Sequence, residues 1–206
     1  MPKIVDKVAK RREILGAAIA VFAQKGYHAA KMADIATRAG MGKGTLYEYF
    51  PTKESLPTEI FNLFFAGLDA QLAALKQSDL PPAEIILQGI QLSFADIDEF
   101  ATITPLAFEL LGSKALSESL GLDRYFEDWS ERLSQFFADT IVAGQSALQI
   151  NPTINATAFA RMLVSAIDGM GMHYCLFKMD KAFFQLQCQE LEAMIRHRFL
   201  PINLES

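Results

Sequence analysis

Residues 34–54, DIATRAGMGKGTLYEYFPTKE, decide how this chain folds. Ala36 is a small residue where two helices would cross closely. Gly40, four positions on, suits a turn through positive φ. Leu46, ten positions after Ala36, is the apolar residue a second helix needs to pack back on the first. These requirements are independent, and together they predict a helix-turn-helix. Met32, Ile35, Ala36 and Ala39 line the buried face of its first helix. Gly40-Met41-Gly42 turns the chain, and Gly42 is placed to cap a second helix ending at Tyr49 or Phe50. Pro51-Thr52 breaks that pattern. Thr52 and Ser55 are candidate caps for the next helix, with Lys53 in its first turn.

Upstream, Ile14, Ala18, Val21 and Phe22 recur at helical spacing, and Gly26 is expected to end that helix. A small three-helix core of Ile14, Phe22, Ile35, Leu46 and Phe50 is predicted. Downstream, residues 56–76 read as a long helix with Pro57 confined to its first turn. Leu80-Pro81-Pro82 stops it, and residues 83–97 are periodic again. Thr104-Pro105 is expected to break or distort a short helix over 98–111. Residues 112–121 are the best loop candidate, part of which could be helical. Residues 123–147, 155–177 and 182–199 read as the remaining helices, the last closed by Pro201. No stretch sustains period-two alternation. The predicted fold is all-α, with a helix-turn-helix domain over 1–55 and a larger helical domain over 56–206.

The chain has 206 residues and a formal net charge of −5, which argues against nucleic acid until its distribution is read. Residues 1–55 hold ten Lys/Arg and five Asp/Glu, whereas the remainder holds nine and nineteen. A basic head on an acidic body suits phosphate binding by the head. The basic segment 3–12 is either an arm along DNA or a helical extension. Two cysteines, Cys175 and Cys188, supply no disulfide framework and fit a reducing compartment. The charged N-terminus lacks a signal-peptide core, and no long apolar run predicts a membrane span. A cytoplasmic protein without membrane contact is expected.

A helix in the major groove meets base edges with its N-terminal end. That places Lys43, Gly44 and Thr45 at the bases: an ammonium for guanine or phosphate, close backbone approach, and a hydroxyl or methyl. Lys31 and Arg38, at the ends of the preceding helix, are either phosphate contacts or solvated charges. Enzyme chemistry finds no support. His28, His173, His197 and the two cysteines lack metal-ligand spacing, so no metal or cofactor is expected. No nucleophile elbow, Walker loop or dinucleotide fingerprint occurs, and Gly40–Gly44 lacks the strand a phosphate loop needs. A helical partner-binding protein without DNA binding is the other alternative.

KGTLYEYFPTKESL, with ILGAAIAVFAQKGY upstream, resembles the TetR family of bacterial transcriptional regulators over residues 11–60. Residues 166–170, AIDGM, are similar to the small-residue segment of that family's dimerising helix. The resemblance implies that Tyr47, Tyr49 and Lys53 reach DNA phosphates, although Tyr49 also suits the head's core. Two positions depart from the family pattern. Ala30-Lys31 stands where a capping Ser or Thr is usual, and Gly42 stands where Ser often offers phosphate a hydroxyl.

The resemblance further implies a homodimer on palindromic operator DNA, its interface built by the last two helices. Met162, Ala166, Asp168 and Gly169 would come from one, and Phe183, Leu191, Met194 and Ile195 from the other. It implies an effector pocket among the middle helices. Candidate apolar lining residues are Phe64, Phe65, Phe94, Phe108, Phe126, Met170 and Phe177; candidate polar anchors are Glu109, Asp168, His173 and Tyr174. Asp168 could instead bond across the dimer, and His173 could be an internally satisfied histidine. The expected function is repression relieved by a small apolar or aromatic effector.

Overall fold

Asp6 opens the first helix. Its carboxylate accepts from the amides of Val8 and Ala9, two of the donors that a helix start leaves over. The structure, a computed structural model, describes residues 6–199. Among them are ten α-helices and no strand. They are α1 (Lys7–Ala29), α2 (Met32–Arg38), α3 (Lys43–Tyr49), α4 (Ser55–Lys76) and α5 (Pro82–Phe94), followed by α6 (Ile97–Leu111), α7 (Lys114–Leu120), α8 (Leu122–Ser146), α9 (Ala156–Phe177) and α10 (Lys181–Phe199). The all-α expectation holds. No described helix is long and apolar enough to cross a membrane.

The helices form two compact units, and the division does not follow a single cut in sequence. One unit combines residues up to Ala66 with Thr102–Phe126; the other combines Gly67–Ala101 with the chain from Glu127. The first unit runs past residue 55, taking the opening of α4, most of α6, α7 and the start of α8.

In the first unit all five predicted core residues of the head are buried. Ile14, Ile35 and Leu46 are fully enclosed, beside Phe22 and Phe50. Leu56, Ile60 and Phe61 extend the unit's buried set along α4, and Leu106, Leu110 and Leu122 add to it from α6 and α8. Edge-on aromatic contacts tie α4 to the start of α8, with Phe61 and Phe126 centroids 4.9 Å apart. In the second unit, α5 packs on α9 and α10. Ile86 and Ile90, Phe137 and Ile141, and Leu163 and Val164 are among its buried residues. Ion pairs bind its surface: Lys76–Asp139 at 2.6 Å, Arg132–Asp69 at 3.2 Å, and Arg196–Glu84.

Two local expectations are corrected and one holds. Gly26 breaks the helix begun at Lys7, as expected, with φ 75° and ψ 162° lying outside the helical region. A further turn follows, and the chain leaves helix at Ala30. Pro105 lies inside a continuous α6 instead of breaking it. Part of the expected loop at 112–121 is α7, closed by Gly121 in the left-handed region. The basic segment is helical from Lys7 onward. Its residues 3–5, and the closure of α10 at Pro201, lie outside the described residues.

Candidate nucleic-acid interface

The turn between α2 and α3 is built by backbone geometry that Gly40 makes available. With Gly40 at φ 64°, its amide donates to the Thr37 carbonyl at 3.2 Å, and the Met41 amide donates to Ala36 at 3.0 Å. That pair of bonds is a Schellman closure, and it satisfies carbonyls at the end of α2 that would otherwise be orphaned. Ala36 and Leu46 are both buried, as the motif requires.

The start of α2 shows how the missing Ser/Thr cap is replaced. Asp34 reaches back, its Oδ2 accepting from the Lys31 amide at 3.0 Å, while its Oδ1 meets Lys25 Nζ at 2.9 Å. The Lys25 bond first, then the Lys31 amide, holds the Asp34 carboxyl below the usual carboxylate range. This is the reciprocal half of a capping box, with the carboxylate inside the helix doing the capping.

On α3 one face is anchored and the other presented. Leu46 is fully enclosed, whereas Lys43, Gly44, Thr45 and Tyr47 are exposed and Tyr49 is half-buried. Lys43 Nζ lies 5.8 Å from the centroid of the Tyr47 ring, so the two share the presented face. Gly42 caps α3 without a side-chain bond. Lys31 and Arg38 are exposed at the two ends of α2. The structure thus brings these eight predicted positions together on the helix-turn-helix.

Lys53, expected at a phosphate, is engaged within the head. Its ammonium donates to the carbonyls of Tyr27, Ala30 and His28, at 2.9, 3.2 and 3.4 Å, and lies 4.4 Å from the centroid of the Tyr27 ring. An ammonium has three protons. All three have acceptors inside the protein, so Lys53 ties the head together where a phosphate contact was expected.

Arg11 is a residue whose role the sequence did not disclose. Its Nη1 donates to the Tyr49 carbonyl at 3.1 Å, its Nη2 meets the Glu59 carboxylate at 3.1 Å, and its guanidinium stacks 4.5 Å over Phe50. One cation therefore closes the C-terminal end of α3 and joins it to α4. Arg11→Ala is expected to destabilise the protein by about 1–2 kcal/mol, because it removes a partly buried charge-assisted bond and a cation–π contact. A denaturant titration measures this, and the amide of Phe50 should exchange faster in the variant.

The predicted effector residues divide between the units. Phe64, Phe65 and Phe126 gather in the first, where Phe64–Phe65 and Phe65–Phe126 centroids lie 5.8 and 6.0 Å apart; Phe108 is in the same unit and exposed. Glu109 is not a free anchor, since backbone amides of its own unit take both carboxylate oxygens. Phe94, Met170, His173, Tyr174 and Phe177 belong to the second unit. There Tyr174 packs on Phe184 at 4.8 Å and donates to Asp98, which also pairs with Lys181. His173 packs edge-on against Phe177, with centroids 5.1 Å apart.

Of the predicted interface residues, Met162, Phe183 and Met194 are more than half exposed. Asp168 is also exposed, and Ala166, Gly169 and Leu191 are half-buried. Ile195 is buried in its own unit, so it belongs to the core and not to an external face.

Residues 14–60 match the family described as bacterial regulatory proteins, tetR family. The transcriptional repressor KstR2 of Mycobacterium tuberculosis is 26% identical over 164 residues, covering 79% of this chain and 80% of that protein. The transcriptional regulator RutR of Escherichia coli K12 is 38% identical over 86 residues, covering 41% of this chain and 39% of that protein. Among solved structures, the regulator FadR of Bacillus subtilis, in complex with stearoyl-CoA, matches with a TM-score of 0.73 at 18% identity. The match covers 92% of this chain and all of that one.

Proposed function

This chain belongs to the TetR family of bacterial transcriptional regulators, and from that premise we propose that it is a dimeric, ligand-responsive repressor of the bacterial cytoplasm. The observation that carries the reading is the one-sided burial of α3. Leu46 is wholly enclosed, while Lys43, Gly44 and Thr45 stand exposed at the helix start, beside exposed Tyr47. A helix anchored in this way can enter a major groove end-first. Tyr47 and Tyr49 follow the base-facing residues and, with Lys31, Arg38 and the Gly42 backbone, would meet phosphates.

One such helix spans few base pairs, so two copies on a palindrome supply affinity and spacing. Exposed Met162 on α9, with Phe183 and Met194 on α10, supports pairing of those helices between copies. Asp168 and the small residues Ala166 and Gly169 would lie in that contact. The aromatic groups of the two units favour an apolar or aromatic effector. Binding preferentially to a dimer with wrongly spaced α3 helices, it would weaken DNA affinity by its preference between the two forms.

Gel shifts on duplexes tiling the region upstream of the protein's own gene test the reading. Binding should weaken steeply with salt, by a log–log slope of about −0.9 per phosphate neutralised. Lys43→Ala should weaken binding about 5- to 100-fold, and Tyr47→Phe should weaken it less. Sedimentation should give a dimer. Wild-type affinity in both variants would remove α3 from the interface.

A further inference from the structure

The turn that follows Gly26 is held at both ends by charges from distant parts of the chain. Gly26 sits at φ 75°, ψ 162°, a conformation open to glycine and strained for other residues. It also brings no side chain to cap the turn it begins. The cap comes from α6. Glu109 Oε2 accepts from the Tyr27 amide at 2.8 Å, and Oε1 accepts from the His28 amide at 3.3 Å. A Cβ on Gly26 would lie 3.3 Å from Glu109 Oε2, a tight contact that would press on the carboxylate.

At the other end of the turn, Lys53 collects the carbonyls of Tyr27, His28 and Ala30. Anion at the amide end and cation at the carbonyl end is the favourable arrangement for a helical turn. Tyr27 itself is buried, packs 5.4 Å from Phe22, and has its phenol pushed up to about 12 by burial, then by Glu54 and Glu109. The turn is therefore seated in the core on one side and gripped by charge on the other. Lys31, which begins α2, is one residue past Ala30. Whatever sets this turn sets where α2 starts, and through the Ala36–Gly40–Leu46 crossing it sets α3.

Resting on the regulator reading above, we propose that Glu109 is a positioning residue for DNA recognition. It touches no DNA, and it places the α2–α3 pair by holding the backbone amides of Tyr27 and His28 from α6.

Glu109→Gln keeps the side chain's size but turns one acceptor into a donor that faces a backbone amide. It is expected to weaken binding to the upstream duplex at least about tenfold, since charge-assisted bonds are the strong ones. Measured well below the melting temperature, the loss should come with an unchanged fraction folded and an unchanged salt slope, because no phosphate contact is removed. Glu109→Ala should do the same, and Glu109→Asp, one methylene short, should fall between. The amides of Tyr27 and His28 should exchange faster and those of α2 and α3 should shift in resonance, a readout independent of DNA.

Affinity within twofold of wild type would overturn the assignment. So would a binding loss that merely tracks unfolding, or α2–α3 resonances unmoved by the substitution. A wild-type protein that binds none of the upstream duplexes would overturn the regulator reading instead, and the resonance test of Glu109 would still decide the placement.

Discussion

Leu46→Ala is expected to unfold the head and abolish operator binding. Leu46 is fully enclosed, as are the head's Ile14, Ile35 and Phe50 at no more than 1% exposed, and it is the buried residue of α3. A helix of seven residues has no stability of its own and depends on this anchor. Truncating a buried leucine costs about 2–5 kcal/mol, more when the surrounding helices cannot close the cavity. The Schellman turn holds α3 at one end and Arg11 at the other, so collapse into the gap is hindered. At about 2–4 °C per kcal/mol for a chain of this size, the melting temperature should fall by about 5–15 °C. Circular-dichroism melts give the shift, and amide exchange over residues 14–50 shows where the opening occurs. A melting curve that overlies the wild type would mean that Leu46 is not the anchor.

Phe61→Ala should be at least as damaging, at about 3–5 kcal/mol. Its ring is fully buried and meets Phe126 edge-on, and Phe126 in turn meets Tyr125 and Phe65. The lost ring leaves a void walled by rigid aromatics, which tilt poorly into empty space. Phe61→Leu, which refills most of the volume, should recover more than half of the loss. Urea titration separates the cases: both variants should lower the midpoint at a constant slope. Equal stability of the alanine and leucine forms would show that the aromatic cluster relaxes around the gap.

The head was legible because its constraints are local. Ala36, Gly40 and Leu46 are specified by spacing within ten positions, and their structural roles follow from that spacing. What the sequence concealed depends on partners far along the chain. Spacing alone makes Gly26 a helix end, and its positive φ agrees with that. The extra turn exists because Glu109, 82 residues on, and Lys53, 26 residues on, satisfy its two ends. Lys53 looked free to reach phosphate, since nothing local indicates that its ammonium meets three carbonyls. The Asp34 cap could have been found, as an acid three residues after a helix start is half of a known box.

Pro105 illustrates the opposite error. Local propensity argued for a break, and packing carried the helix through, with Ile103, Thr104 and Leu106 all buried around it. Ile195 shows the ambiguity of an apolar stripe, because periodicity marks residues that seek cover without saying whether their own unit or a second copy supplies it. The expected effector residues suffer the same ambiguity. Abundant Phe and Met announce apolar surroundings, yet they fall in two units whose composition no sequence pattern disclosed.

Proline 105 has a mechanical consequence. Without an amide proton it leaves the carbonyl of Ala101 lacking its helical donor, and Ala101–Thr102 is also where α6 leaves one compact unit and joins the next. The rod is thus notched at its midpoint. Where α6 bends at all, the missing bond at Pro105 is where its backbone resists least.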